Sequence, residues 1–264
     1  MELAYGLSTS LGGADCWLGK LEEIKSAGIT GLELCLNEDY ESQRALLPAA
    51  LDTIREHSME IFSVHLPFGE TVDIACPNEE IRQKAQEKVL RFVKLTGGLG
   101  APRMVIHASY EPIPAQDRRR CLQASVRSLR VIAQALGELG ITLAVEELPR
   151  TCLGNCAQEM RWILSQVPGA GVCFDTNHLT LQTPEEFARQ MADVIITTHI
   201  SDYDGVNEKH WTPGDGIVPF RAIHQTLLAH GYTGPILFEP NEYSRGGVPV
   251  TPRGLVQGYT GAIR

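Results

Sequence analysis

A single (β/α)8 barrel over residues 1–264 is the fold this sequence predicts, and three observations lead to it. Short apolar or β-branched runs alternate with longer helical stretches along the whole chain. Eight such beats in 264 residues match a barrel of roughly 250. Six successive runs also end in a histidine or a carboxylate, as they would if their C-terminal ends shared one mouth.

Strands are expected at LAYGLS (3–8), GLELCL (31–36), IFSVHLP (61–67) and RMVIHAS (103–109), then at TLAVEEL (142–148), GVCFDT (171–176), VIITTHIS (194–201) and PILFEP (235–240). Between them the spacing of apolar residues predicts helices over 42–56, 79–95, 115–139 and 183–191. In the third, Leu122, Val126, Leu129, Val131, Ile132 and Leu136 form a broad apolar face at helical spacing. Turns rich in glycine precede the second, fourth, fifth and eighth strands (SAGITG, GGLGAP, GELGIT, HGYTGP). No Gly/Ser linker divides the chain. A doubly wound open sheet would carry G-x-G-x-x-G after its first strand, and STSLGGADC supplies none.

Composition narrows the function. The chain is 43% hydrophobic with a formal charge of −9, so it gains no general electrostatic help in approaching phosphate backbones. Nucleic acid is therefore not the expected partner. Arg118-Arg119-Arg120 is the one dense basic run, and it reads as a solvated helix face. No apolar stretch reaches the roughly 20 residues of a membrane span. The start of the chain, MELAYGLSTS, lacks the basic-then-apolar pattern of a secretory signal. Seven irregularly spaced cysteines suit reduced thiols in a cytoplasmic protein better than a disulfide framework.

The six polar strand ends are His65, His107, Glu146, Asp175, His199 and Glu239, and Glu33 lies near the end of the second strand. Singly, each is an ordinary structural residue. Together they would place several carboxylates at one mouth, where like charges repel. A divalent cation resolves that conflict, and oxygen plus imidazole donors suit Mn²⁺, Co²⁺, Zn²⁺ or Mg²⁺. Glu146, Asp175, His199 and Glu239 are the expected metal ligands.

The same residues carry a resemblance. GLEL, VEELP, DTNH, HISD, HWTPGDG and FEP, in this order, resemble the xylose-isomerase-like TIM-barrel superfamily of sugar isomerases and epimerases. For its ketose 3-epimerase and hydroxypyruvate-isomerase-like members, the resemblance implies one divalent metal on Glu146, Asp175, His199 and Glu239, with His178 on substrate hydroxyls. Two positions depart from the ketose 3-epimerase pattern: Cys152 stands where a second glutamate is implied, and Gly205 where an arginine is. The superfamily also contains zinc-dependent apurinic-site endonucleases with three metals. Their nine ligand positions map onto His65, His107, Glu146, Asp175, His178, His199, Glu208, His210 and Glu239. Acidic charge and the isomerase-like start, LEEIKSAGITGLEL, favour sugars. A cyclitol or keto-acid dehydratase is a further alternative, and dimers or tetramers are expected by analogy.

The expected chemistry is proton transfer next to a carbonyl through an enediolate, with Glu146 and Glu239 as the catalytic carboxylates. His65, His107, His178 and His210 are expected to bind substrate. Arg245, in SRGG after the last strand, is a candidate for a substrate phosphate. Asp202 is read as support for His199, and Trp211 as a surface for a sugar face.

Overall fold

The computed structural model describes residues 3–13, 16–178 and 180–264. Eight parallel strands form the sheet: β1 (Tyr5–Ser10), β2 (Ile29–Cys35), β3 (Glu60–His65), β4 (Arg103–His107), β5 (Thr142–Glu146), β6 (Gly171–Asp175), β7 (Ile195–His199) and β8 (Ile236–Phe238). Eight α-helices alternate with them: α1 (Leu21–Ser26), α2 (Tyr40–Glu56), α3 (Glu79–Thr96), α4 (Arg118–Gly137), α5 (Ala157–Gln166), α6 (Pro184–Met191), α7 (Phe220–Ala229) and α8 (Pro252–Ala262). Consecutive strands are neighbours from β1 to β7, and β8 pairs with β1. A parallel bridge between Ile200 and Phe238 joins the two ends of that order and closes the ring. The chain is a (β/α)8 barrel.

Local chemistry explains where the elements start. Asp39 and Asn78 accept the N–H of Ser42 and Ile81 and so cap α2 and α3. Thr183 and Glu186 form a reciprocal capping box on α6, with Pro184 in its first turn. The expected helix over 115–139 is shorter, because the segment before Arg118 is a turn in which the Asp117 N–H donates to the Pro114 carbonyl. The first strand runs to Ser10 and not Ser8, since its pairing with β2 continues to Cys35.

The core lies between the strands and the helix ring, where Leu32, Leu34, Val64, Phe92, Leu129, Phe174 and Phe187 are almost fully buried. Burying such side chains contributes roughly 1.5–3 kcal/mol each. Among the described residues no helix is long and apolar enough to cross a membrane. All seven cysteines are free thiols.

Candidate functional site

Parallel register sets the strand ends side by side. Glu146 lies opposite His107 on β4 and Cys173 on β6, while Asp175 lies opposite His199 on β7. Glu239 is the first residue beyond β8, and its N–H donates to the Ile200 carbonyl across the closing seam. The result is one cluster. Single donor atoms of Glu146, Asp175, His199 and Glu239 all lie within 4.8 Å of one another. His199 Nδ1 stands 3.1 Å from Glu146 Oε1, 3.5 Å from Glu239 Oε2 and 3.9 Å from Asp175 Oδ2.

Glu33 sets the direction of that imidazole. It is fully buried on β2, accepts hydrogen bonds from Ser8 (3.3 Å) and Ser63 (2.7 Å), and lies 3.0 Å from His199 Nε2. The carboxylate is at ion-pair distance from Nε2, which makes no aligned hydrogen bond, and its charge favours a proton on that nitrogen and a free Nδ1 lone pair toward the cluster. Burial opposes the charge on Glu33, yet the His199 and His65 rings and the Ser63 hydroxyl hold its carboxyl below the ordinary value.

The charges are out of balance. Burial, together with the Asp175 and Glu146 carboxylates and against the pull of His199, pushes Glu239 up to about 8. Burial and the same two neighbours raise Glu147, which accepts the Asp175 N–H at 2.8 Å, well above its usual range. Glu146 goes the other way: despite its burial, His199 and His107 hold it well below the carboxylate range. Asp175 Oδ2 is buried without a hydrogen-bond partner, which is costly unless something else meets it. A divalent ion at the quartet would meet that oxygen and relieve the repulsion, and three carboxylates with one imidazole are a donor set it accepts. The residues fit the group.

Four more histidines surround the quartet. His65 donates Nδ1–H to the Leu66 carbonyl at 2.8 Å and faces Glu146 Oε2 with Nε2 at 2.9 Å. Acceptors at both nitrogens favour the imidazolium, and against its burial the Glu146 hydrogen bond raises His65 to about 9. His107 Nε2 is 3.1 Å from the same Glu146 oxygen, and Phe68 stacks on its ring. His178 and His210 are anchored by Nδ1–H to the carbonyls of Glu147 (2.7 Å) and Glu239 (2.9 Å). These four rings, with Glu146 and Glu239, line a cavity of about 260 Å³ whose rim carries Glu111, Arg150, Cys152 and Glu208. A second cavity of about 280 Å³, lined by Ser8, Ser10, Trp17 and Asn241, adjoins it and shares Phe68, His210 and Glu239.

Other expected residues lie elsewhere. Arg245 lines neither cavity; it donates to the Asp215 carbonyl at 3.1 Å and sits 5.8 Å from the Trp211 ring, which also lies outside the lining. Asp202 does not support His199. Its carboxylate accepts the N–H groups of Tyr203, Gly214, Gly216 and Val218, so the acid holds the following loop instead. Arg118 is not a solvated residue of a basic face: it bonds Glu159, Asn155 and the carbonyls of Thr151 and Cys152, tying α4 to the loop after β5. Among the described residues, the groups of three or more donors at metal-binding spacing contain His65, Glu146, Asp175, His199 and Glu239. His107, His178, Glu208 and His210, the rest of the nine-position endonuclease pattern, stand outside them, and Glu208 is paired with Arg150 at 2.7 Å.

Sequence reading gave no role to Glu33, Glu147 or Asn177. Asn177 donates its N–H to Asp175 Oδ1 (2.6 Å), and its side-chain oxygen accepts the N–H of Lys209 (2.9 Å) and of His210 (3.0 Å). His210 has a φ of 48°, so this bond holds a left-handed backbone turn uncommon outside glycine. An acid inside the apolar run GLELCL was the available signal for Glu33.

This barrel, with an acid-rich donor cluster at its C-terminal mouth, matches a known family. Residues 21–257 match the xylose isomerase-like TIM barrel, and the chain belongs to that family. It is 24% identical over 251 residues to an L-ribulose-5-phosphate 3-epimerase of Escherichia coli, covering 87% of this chain and 84% of that one. It is 22% identical over 226 residues to a ketose 3-epimerase of Arthrobacter globiformis, covering 83% and 75%. A crystal structure of a D-tagatose 3-epimerase-like protein superposes with a TM-score of 0.82 at 21% identity, over 99% of this chain and 98% of that one. The relatives are sugar epimerases.

Proposed function

We propose that this chain is a divalent-metal-dependent sugar isomerase or epimerase that moves a proton next to a carbonyl through an enediolate. The observation that carries the reading is the convergence of Glu146, Asp175, His199 and Glu239 on one point beside a cavity of about 260 Å³. The names of its relatives, a ketose 3-epimerase and a ribulose-phosphate epimerase, support it from outside.

A divalent ion (Mn²⁺, Co²⁺, Zn²⁺ or Mg²⁺) would act as a Lewis acid toward the negative charge that develops on the substrate. The chain's own residues do the rest. Glu146 on β5 and Glu239 past β8 reach the cavity from separate arcs of the ring. In epimerisation one carboxylate removes the carbon-bound proton and the other returns it to the opposite face. In aldose–ketose exchange one relays it along a single face. Such acid–base help is worth roughly 10²–10⁴-fold. In this reading His107, His178 and His210 hydrogen-bond hydroxyls, the backbone anchors of His178 and His210 fixing ring orientation, while His65, whose two nitrogens face the Leu66 carbonyl and Glu146, lines the cavity and holds Glu146.

The test is exchange of solvent deuterium into a panel of ketoses, after metal removal and reloading with each ion in turn. Metal-dependent exchange next to the carbonyl is expected with at least one sugar. Absence of exchange with every ion and every ketose overturns the reading.

A further inference from the structure

Among the described residues Arg150 is the one lysine or arginine that lines either cavity beside the quartet. Its charge is already engaged. Nε donates to both oxygens of Glu111 (2.9 and 3.1 Å), Nη2 donates to Glu111 as well, and Nη1 donates to Glu208 at 2.7 Å. The three residues come from the loops after β4, β5 and β7, so the pairs lace those loops together over the mouth.

The arginine is held from behind as well. Its backbone φ is 53°, a left-handed turn uncommon outside glycine. Its carbonyl accepts from Asn155 Nδ2 at 2.6 Å, and Asn155 Oδ1 in turn accepts from Arg118 of α4 at 2.9 Å. Lys209 and Arg245, the nearby cations, face Asp204 and the Asp215 carbonyl and line neither cavity. One guanidinium between two carboxylates leaves the rim net negative. A phosphate dianion held at that rim meets Glu111 and Glu208 and no lysine or arginine left unpaired, whereas hydroxyl groups meet acceptors and the remaining guanidinium N–H groups.

Resting on the reading of the site as a sugar isomerase or epimerase, we propose that the Glu111–Arg150–Glu208 clasp determines specificity, admitting uncharged polyhydroxy substrates and rejecting their phosphate esters. The clasp makes Arg150 a frame for the mouth and not an anion receptor.

The test titrates the Mn²⁺-loaded protein with inorganic phosphate and with D-ribulose 5-phosphate by calorimetry. Little or no Arg150-dependent binding is expected for the wild type, read as the difference from Arg150→Ala. Glu111→Gln with Glu208→Gln frees the guanidinium and is expected to strengthen phosphate binding by about tenfold or more, a gain that Arg150→Ala added to the pair abolishes. Arg150-dependent phosphate binding by the wild type, or no gain in the folded double variant, overturns the proposal. Should the double variant fail to fold, Glu208→Gln alone and the wild-type ratio of kcat/KM for D-ribulose over its 5-phosphate decide; a ratio of one or less is fatal. If no sugar exchanges deuterium under any condition, the assigned reaction falls, while the phosphate titrations still decide the clasp.

Discussion

The two halves of the barrel mouth use the same residue types differently. On the β1–β4 side, Glu33 is fully buried and satisfied, with Ser8, Ser63 and His199 around its carboxylate. On the β5–β8 side, Asp175 is equally buried, yet its Oδ2 has no hydrogen-bond partner. A satisfied carboxylate orients its neighbour, and an unsatisfied one is open to a ligand. Between these two acids, both on barrel strands and both buried, the difference lies in the completeness of the local hydrogen bonding.

That contrast orders the expected losses. Glu239→Gln and Glu146→Gln remove the two proposed proton carriers and should lower kcat by roughly 10²–10⁴-fold, measured as deuterium exchange on a responding ketose. Glu33→Gln keeps the shape and weakens the hold on His199, so metal affinity should fall roughly 10–100-fold by titration, with turnover largely restored at saturating metal. If Glu33→Gln at saturating metal costs as much turnover as Glu239→Gln, the distinction between the two halves breaks.

Proton competition gives a smaller, graded effect. Burial and neighbouring carboxylates raise Glu239 to about 8, so below that pH an incoming ion must displace its proton. Apparent metal affinity should rise by up to about tenfold per pH unit toward pH 8 and then level off. A flat profile between pH 6 and 8 would remove Glu239 from the ligand set. The smallest effect belongs far from the mouth. Thr183→Ala removes the α6 capping box, costing about 1 kcal/mol and about 2–4 °C in Tm. Metal affinity should not change.

The barrel and its quartet were legible because each of the four side chains ends an apolar run, a pattern that survives in one dimension. Glu33 was visible as an acid in a greasy strand, but its partners come from β1, β3 and β7, and spacing along the chain does not report them. The clasp was illegible for the same reason: Glu111, Arg150 and Glu208 meet across three loops. Arg118 looked like part of a solvated triplet because charge runs show composition and not which member turns inward. Asp202 looked like a neighbour of His199 because nearness in sequence stood in for direction, whereas its carboxylate is taken up by the N–H groups of the loop that follows.

The ring's last joint is slight. β8 has three residues, and it meets β7 through the Ile200 N–H to the Leu237 carbonyl at 2.7 Å, the Glu239 N–H to the Ile200 carbonyl at 3.2 Å, and Thr198 hydroxyl bonds to the Pro235 carbonyl and the Leu237 N–H. His199 and Glu239 stand on either bank of that joint. An ion gripping both rivets the hoop at its thinnest weld, so loading the metal should slow amide exchange at Ile200 and Glu239 more than at the long β1–β2 pairing.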